Sequence, residues 1–104
     1  MNSKPLLSPI IVSYNTADLT CNAVASVLSE YRHSHIDGEI IVVDNHSTDD
    51  SVKKIDRLFH GHIQLIENKQ NLGFAGANNQ GLKTANGKYI FLLNSDTIIH
   101  PGDI

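Results

Sequence analysis

A chain of 104 residues makes at most a single domain. It is 40% hydrophobic and 18% charged, with a formal net charge of −3 and no cluster of Lys and Arg. That balance argues against a nucleic-acid partner, and any phosphate ligand must be met by backbone N–H groups or a metal. Cys21 stands alone, which excludes a disulfide framework and a thiolate zinc site and fits a reducing, cytoplasmic home. No apolar run approaches the ~20 residues of a membrane span, and Pro9 breaks the early run without a cleavage site, so no signal peptide is read.

Residues 1–8 read as a loose lead-in and 9–104 as one unit. A first strand, PIIV, starts at Pro9, where a missing N–H is tolerated. From Thr16 to about His33, Leu19, Ala23, Val24, Val27, Leu28 and Tyr31 form the apolar stripe of a helix. GEIIVV is a second strand, apolar on both faces and so buried on both. STDDSVKKIDRLF is a second helix, with Ser47 as N-cap, two acids in its first turn, and Val52, Ile55, Leu58 and Phe59 facing inward.

HIQLI is a weaker third strand, nearer an edge. A third helix runs from about Gly73 to Ala85 and stops at Asn86-Gly87, where Gly87 suits a left-handed position. YIFLL is a fourth strand, expected to be central and buried on both faces. The order βαβαβαβ predicts an α/β fold: a mainly parallel sheet between helical layers, with right-handed crossovers.

In such a sheet all strand ends share one edge, and ligands bind outside it where the strand order reverses. Ser13-Tyr14-Asn15, Asp44-Asn45, Glu67-Asn68 and Asn94-Ser95-Asp96 fall there. Turns and caps explain Ser47 and Asn15 equally well. They explain Asp44 and Asp96 less well, because these acids end the two most hydrophobic strands. The Gly-rich stretch NLGFAGANNQG fits neither GxGxxG after the first strand nor GK[ST]. Close packing on a neighbour accounts for Gly81 as readily as function does. Asn78 and Asn79 are poor mid-helix residues, and hydrogen bonding to a ligand or a neighbouring loop would explain them. The six histidines are scattered and read as surface or capping groups, not zinc ligands.

IIVSYNTADLTCNAVASVL, IIVVDNHSTDDSV and NKQNLGFAGANNQGLKTANGKYIFLLNSDT, in this order, resemble the start of the family 2 glycosyltransferases. The rhamnosyltransferase-like bacterial enzymes are nearest by pattern, and the resemblance runs from Pro9 to Pro101. It implies the Rossmann-like N-terminal half of a GT-A fold and a nucleotide-diphosphate sugar donor, UDP- or dTDP-linked. By resemblance, Ser13, Tyr14, Asn15, Asp44, Asn45 and Ser47 border the nucleoside, with the Tyr14 ring against the base. Asn71, Gly73, Phe74, Asn78 and Asn79 border the diphosphate or sugar. Asn94-Ser95-Asp96 takes the place of the DxD motif that holds Mg²⁺ or Mn²⁺, with Asp96 as the charged ligand and Asn94 as a neutral partner.

The family's general base lies in a later half that binds a saccharide or lipid-linked acceptor, and residues 1–104 contain no matching acid. The chain is therefore expected to be a donor-binding half that binds nucleotide weakly and transfers no sugar by itself. In the parent enzyme the work would be polysaccharide or cell-surface glycan synthesis at the inner face of the membrane. A free flank on the fourth strand predicts self-association, as a homodimer through that edge. The rival reading is a non-catalytic nucleotide-binding or interaction module. A receiver-like domain would need a Lys on a later strand, and none is comparably placed.

Overall fold

The computed structural model describes residues 5–100, 102 and 103. Residues 1–4 of the expected lead-in, and Pro101, where the family pattern was read to end, lie outside them. The elements run β1 (Leu7–Ser13), α1 (Ala17–Ser34), β2 (Ile41–Asp44), α2 (Ser51–Phe59), β3 (Gln64–Glu67), α3 (Gly73–Thr84) and β4 (Tyr89–Leu93). All strand pairs are parallel and the sheet order is β3-β2-β1-β4. One core joins the sheet to α1 and α2 through Ile11, Val24, Val27, Val42 and Ile55. The other joins it to α3 through Ile10, Ile41, Val43 and Ala77. The fold is the expected three-layer α/β/α sandwich.

β1 begins at Leu7, two residues before Pro9, so part of the expected lead-in is core. Pro9 itself sits inside a central strand, where a proline is unusual. The pairing of β1 with β2 shows how it is tolerated. Leu7 bridges Gly38, the ladder resumes at Ile10 and Ile41, and Pro9 lies opposite Ile40 in that register. In a parallel ladder the missing N–H would have served the Glu39 carbonyl. That carbonyl instead accepts a 2.8 Å hydrogen bond from the Tyr31 hydroxyl on α1. Gly38 makes room for the ring, since a Cβ there would stand 2.4 Å from Tyr31 Cζ. Burial first, and the Glu39 charge second, push the Tyr31 phenol above its ordinary range, so it stays a donor.

Several expectations need correcting. α2 starts at Ser51, and Asp49 and Asp50 precede it rather than fill its first turn. Asp49 Oδ1 takes both the Ser51 amide, at 2.9 Å, and the Ser51 hydroxyl, at 2.5 Å. A local Asx-type bond thus outcompetes Ser47 as the start signal. Leu58 is 52% exposed, at the end of this short helix, and only Ile55 of the expected stripe is fully buried. Gly87 is absent from the left-handed positions. It is required for close approach: a Cβ there would meet Ser8 Oγ at 2.3 Å and the Leu7 carbonyl carbon at 2.8 Å.

β4 departs furthest from expectation. It is an outer strand, and Tyr89, Ile90 and Leu92 are 56%, 41% and 50% exposed. Phe91 and Leu93 point into the α1 core. α3 lies over β2 and β1, so the opposite face of β4 stays uncovered among the described residues.

Candidate functional site

The strand order reverses between β1 and β4, which opens a crevice at the carboxyl edge of the sheet. The ends of three strands are level there, with Ser13 opposite Asp44 and Asp44 opposite Glu67. A cleft of about 580 Å³ occupies the reversal. Val12 reaches it from β1 and Tyr14 from the residue after that strand, Thr16 and Leu19 from the start of α1, and Asn45 from the residue after β2. Asn71, Gly73 and Phe74 reach it from the loop into α3, and Asn94, Ser95 and Asp96 from the turn after β4. Tyr14 and Phe74, 44% and 56% exposed, place two aromatic side chains in this lining. Leu19, expected in the inner stripe of α1, lines the cleft instead. Asp96 is the one charged side chain in the lining.

Amides set the shape of the cleft. Asn45 is 3% exposed, yet its side chain is fully used. Its Nδ2 donates to Asn71 Oδ1 at 3.0 Å and to the Gly73 carbonyl at 3.1 Å, while its Oδ1 accepts the Leu72 amide at 2.9 Å. Asn71 Oδ1 also accepts the Gly73 amide at 2.8 Å, and Gly73 adopts φ +75°. A side chain would be strained at that angle, so the glycine is needed for backbone reasons. Behind this loop, Asn68 and Gln80 exchange two amide bonds of 2.7 and 2.8 Å. Asn68 is legible in the sequence as a strand-end residue and Gln80 is not, because the pairing links a strand end to mid-helix.

The other predicted residues lie outside the cleft lining, Ser13, Asp44 and Asn78 buried and Asn15 and Asn79 exposed. Asp44 is 1% exposed, and its two oxygens accept the Ser47 hydroxyl at 2.6 Å and the Ser47 amide at 2.9 Å. Ser47 Oγ in turn accepts the Asn15 amide at 2.9 Å, and Asn15 Oδ1 accepts the Thr48 amide at 2.8 Å. These residues knot the β1–α1 and β2–α2 loops together. Ser13 is buried and its Oγ accepts Thr20 Oγ1 at 2.9 Å, with Thr16 at 3.4 Å, pinning α1 to the end of β1. Asn79 is exposed outside the cleft lining. Asn78 is 4% exposed, and neither its Nδ2 nor its Oδ1 has a partner among the described residues.

Burial, partly offset by Lys54, raises the Cys21 thiol above its ordinary value and so disfavours the thiolate. No group of three or more His, Cys, Asp or Glu gathers among the described residues. Asp96 is exposed and takes part in neither ion pair found there, Lys54–Asp18 or His60–Asp56. One carboxylate with a neighbouring amide and hydroxyl suits a hard cation that keeps water and takes further oxygens from a phosphate ligand. It does not suit an all-protein cage. The donor set therefore fits a hard cation such as Mg²⁺ or Mn²⁺ that completes its shell with further oxygens.

In an open α/β sheet a cleft at the point where strand order reverses is the usual place for a ligand. Comparison with known proteins narrows the class. The model of glycosyl transferase family 2 matches residues 8–104, and the chain belongs to that family. It is 41% identical over 91 residues to the UDP-Glc:alpha-D-GlcNAc-diphosphoundecaprenol beta-1,3-glucosyltransferase WfaP of Escherichia coli, covering 88% of this chain and 35% of that protein. It is 34% identical to a second E. coli enzyme of the same description, WfgD, over 89% of this chain and 36% of that protein. The mannosyltransferase of Pyrobaculum calidifontis, solved with GDP-Man and Mn²⁺, superposes with a TM-score of 0.79 at 26% identity. That match covers 92% of this chain and 29% of the other. The chain thus spans about a third of the length of these relatives, and its fold is that of GT-A glycosyltransferases.

Proposed function

We propose that the cleft is the donor site of an inverting, metal-dependent glycosyltransferase, and that it takes a nucleoside diphosphate sugar. The observation that carries this is the lining itself: two exposed aromatic rings, a row of amides, no Lys or Arg, and one acid at the rim. Among the described residues a diphosphate in that space meets no side-chain cation, which supports a metal as its counter-charge. Tyr14 stacks on the base, where a π-face discriminates weakly between bases. Gly73 and Phe74 border the diphosphate and sugar. Asp96, with Asn94, would hold Mg²⁺ or Mn²⁺, which supplies Lewis-acid neutralisation of the departing diphosphate. Ser13, Asn15, Asp44 and Ser47 act by fixing the loops that carry the contacts.

The relatives' names give UDP-Glc as donor and GDP-Man as bound ligand, which supports a nucleotide sugar and leaves the base open. The rhamnosyltransferase-like pattern is narrower than these glucosyl and mannosyl relatives support. A diphosphoundecaprenol acceptor in two of the names favours a lipid-linked saccharide and synthesis of a cell-surface polysaccharide in the parent enzyme. No helix among the described residues is long and apolar enough to cross a membrane. Residues 1–104 alone should transfer no sugar.

Calorimetric titration of UDP and dTDP, with and without Mn²⁺, tests the reading. Mn²⁺ should tighten binding by about tenfold or more, equivalent to ~1.4 kcal/mol, and Asp96→Ala should erase the gain. Metal-independent binding, or none to any nucleotide, would favour the rival non-catalytic module.

A further inference from the structure

The turn that carries Asp96 is supported in an unusual way. It follows an outer strand, with no further helix or strand after it among the described residues. Its own closure is one backbone bond, from the Thr97 amide to the Asn94 carbonyl at 3.0 Å. The segment beyond it closes locally where the His100 amide donates to Asp103 Oδ2 at 2.9 Å and the Asp103 amide to the His100 carbonyl at 3.0 Å, and its anchors to the rest of the described residues come from α1. The Ile99 amide donates to Ser26 Oγ at 2.9 Å, across 73 residues of sequence. Ser26 is fixed in turn by its own 2.7 Å bond to the Ala23 carbonyl. The Gly102 amide donates to Glu30, at 3.1 Å from Oε2 and 3.3 Å from Oε1. The Ile99 side chain packs against the α1 core.

Glu30 is the less expected of the two anchors. It is 2% exposed, and carboxylates are rarely buried so completely without a cation. Its partners here are the Gly102 amide and the Ser34 hydroxyl, the latter at 3.1 Å. A buried carboxylate seeks N–H donors strongly, so a bare backbone amide makes a firm tether. Ser26 and Glu30 are one helical turn apart, on the side of α1 that meets the segment leaving β4.

We propose that Ser26 and Glu30 are positioning residues that latch the chain leaving the Asn94–Asp96 turn onto α1, and so hold the acidic rim of the cleft in place. The importance of that rim rests on the donor-site reading, but the latch itself can be tested without any ligand. Amide hydrogen exchange is read by NMR on the whole chain and on Ser26→Ala, Glu30→Ala and Glu30→Gln. A merely local role would speed exchange at Ile99 and Gly102 alone. A positioning role also speeds it at Thr97, by about fivefold, the effect of one net hydrogen bond. Glu30→Gln, which keeps an acceptor oxygen, should restore most of the protection. Ser26→Ala keeps the test open if Glu30→Ala fails to fold, and protection at Val24 in the α1 core checks that the fold is intact. Mn²⁺ affinity in the presence of UDP should fall by a similar factor in Ser26→Ala, while Asp96→Ala should abolish it without altering Thr97 exchange. If the parent chain takes up no Mn²⁺, the donor-site reading fails and Thr97 exchange alone decides the latch. Unchanged exchange at Thr97, or unchanged Mn²⁺ affinity in Ser26→Ala when the parent chain binds the ion, overturns the proposal.

Discussion

Single residues here do work that their type conceals. Tyr31 sits in the apolar stripe of α1, yet its hydroxyl replaces the N–H that Pro9 lacks. Tyr31→Phe should leave the Glu39 carbonyl without a donor and cost about 1–3 kcal/mol, read from urea unfolding. The stripe was legible from spacing, but the hydroxyl's task was not, because it depends on where Pro9 falls in a register set by another strand. Asp49 gives a pH prediction. Its hydrogen bonds from the Ser51 hydroxyl and then the Ser51 amide hold its carboxyl below the ordinary range. A carboxyl lowered on folding stabilises fully above its unfolded value, near ~3.9, and loses that contribution as pH falls through the folded value. Ser51→Ala should therefore shrink the acid-induced fraying of α2, followed by circular dichroism below about pH 4.

At the scale of elements, the hydrophobic periods located all four strands and three helices, and errors collected at their ends. α2 began late because Asp49 offered Ser51 a local bond. Gly87 looked like a helix stop, whereas what decides it is contact with β1, which no local pattern encodes. Gly81 shows how packing overrides propensity. Ala in mid-helix gains about 1 kcal/mol over Gly. A Cβ at position 81, however, would stand 2.5 Å from Ile10 Cγ2 in the sheet. Overpacking of that kind costs roughly 1–3 kcal/mol, so Gly81→Ala should lower the melting temperature despite the better helix former. A rise in melting temperature would show that α3 can shift off β1.

At the scale of the molecule, the line of strand ends was legible because a parallel sheet aligns them whatever the details. The division between cleft-lining residues and those behind them was not. Asp44 and Asp96 look alike in sequence, yet one is sealed under Ser47 and the other faces the cleft. β4 was misplaced for a related reason: its apolar run reports an environment that the described residues do not complete. Its open edge and the exposed Ile90 and Leu92 should drive self-association that rises with concentration, and Leu92→Lys should reduce it in light scattering.

If the proposed donor site is right, cation and nucleotide meet in one cleft at the sheet reversal. Paramagnetic broadening by Mn²⁺ in the presence of UDP locates both at once. The Asn94, Ser95 and Asp96 amide signals should be lost first, then those of Gly73 and Phe74, with the α2 amides unaffected. Broadening centred elsewhere, or the same broadening in Asp96→Ala, would contradict it.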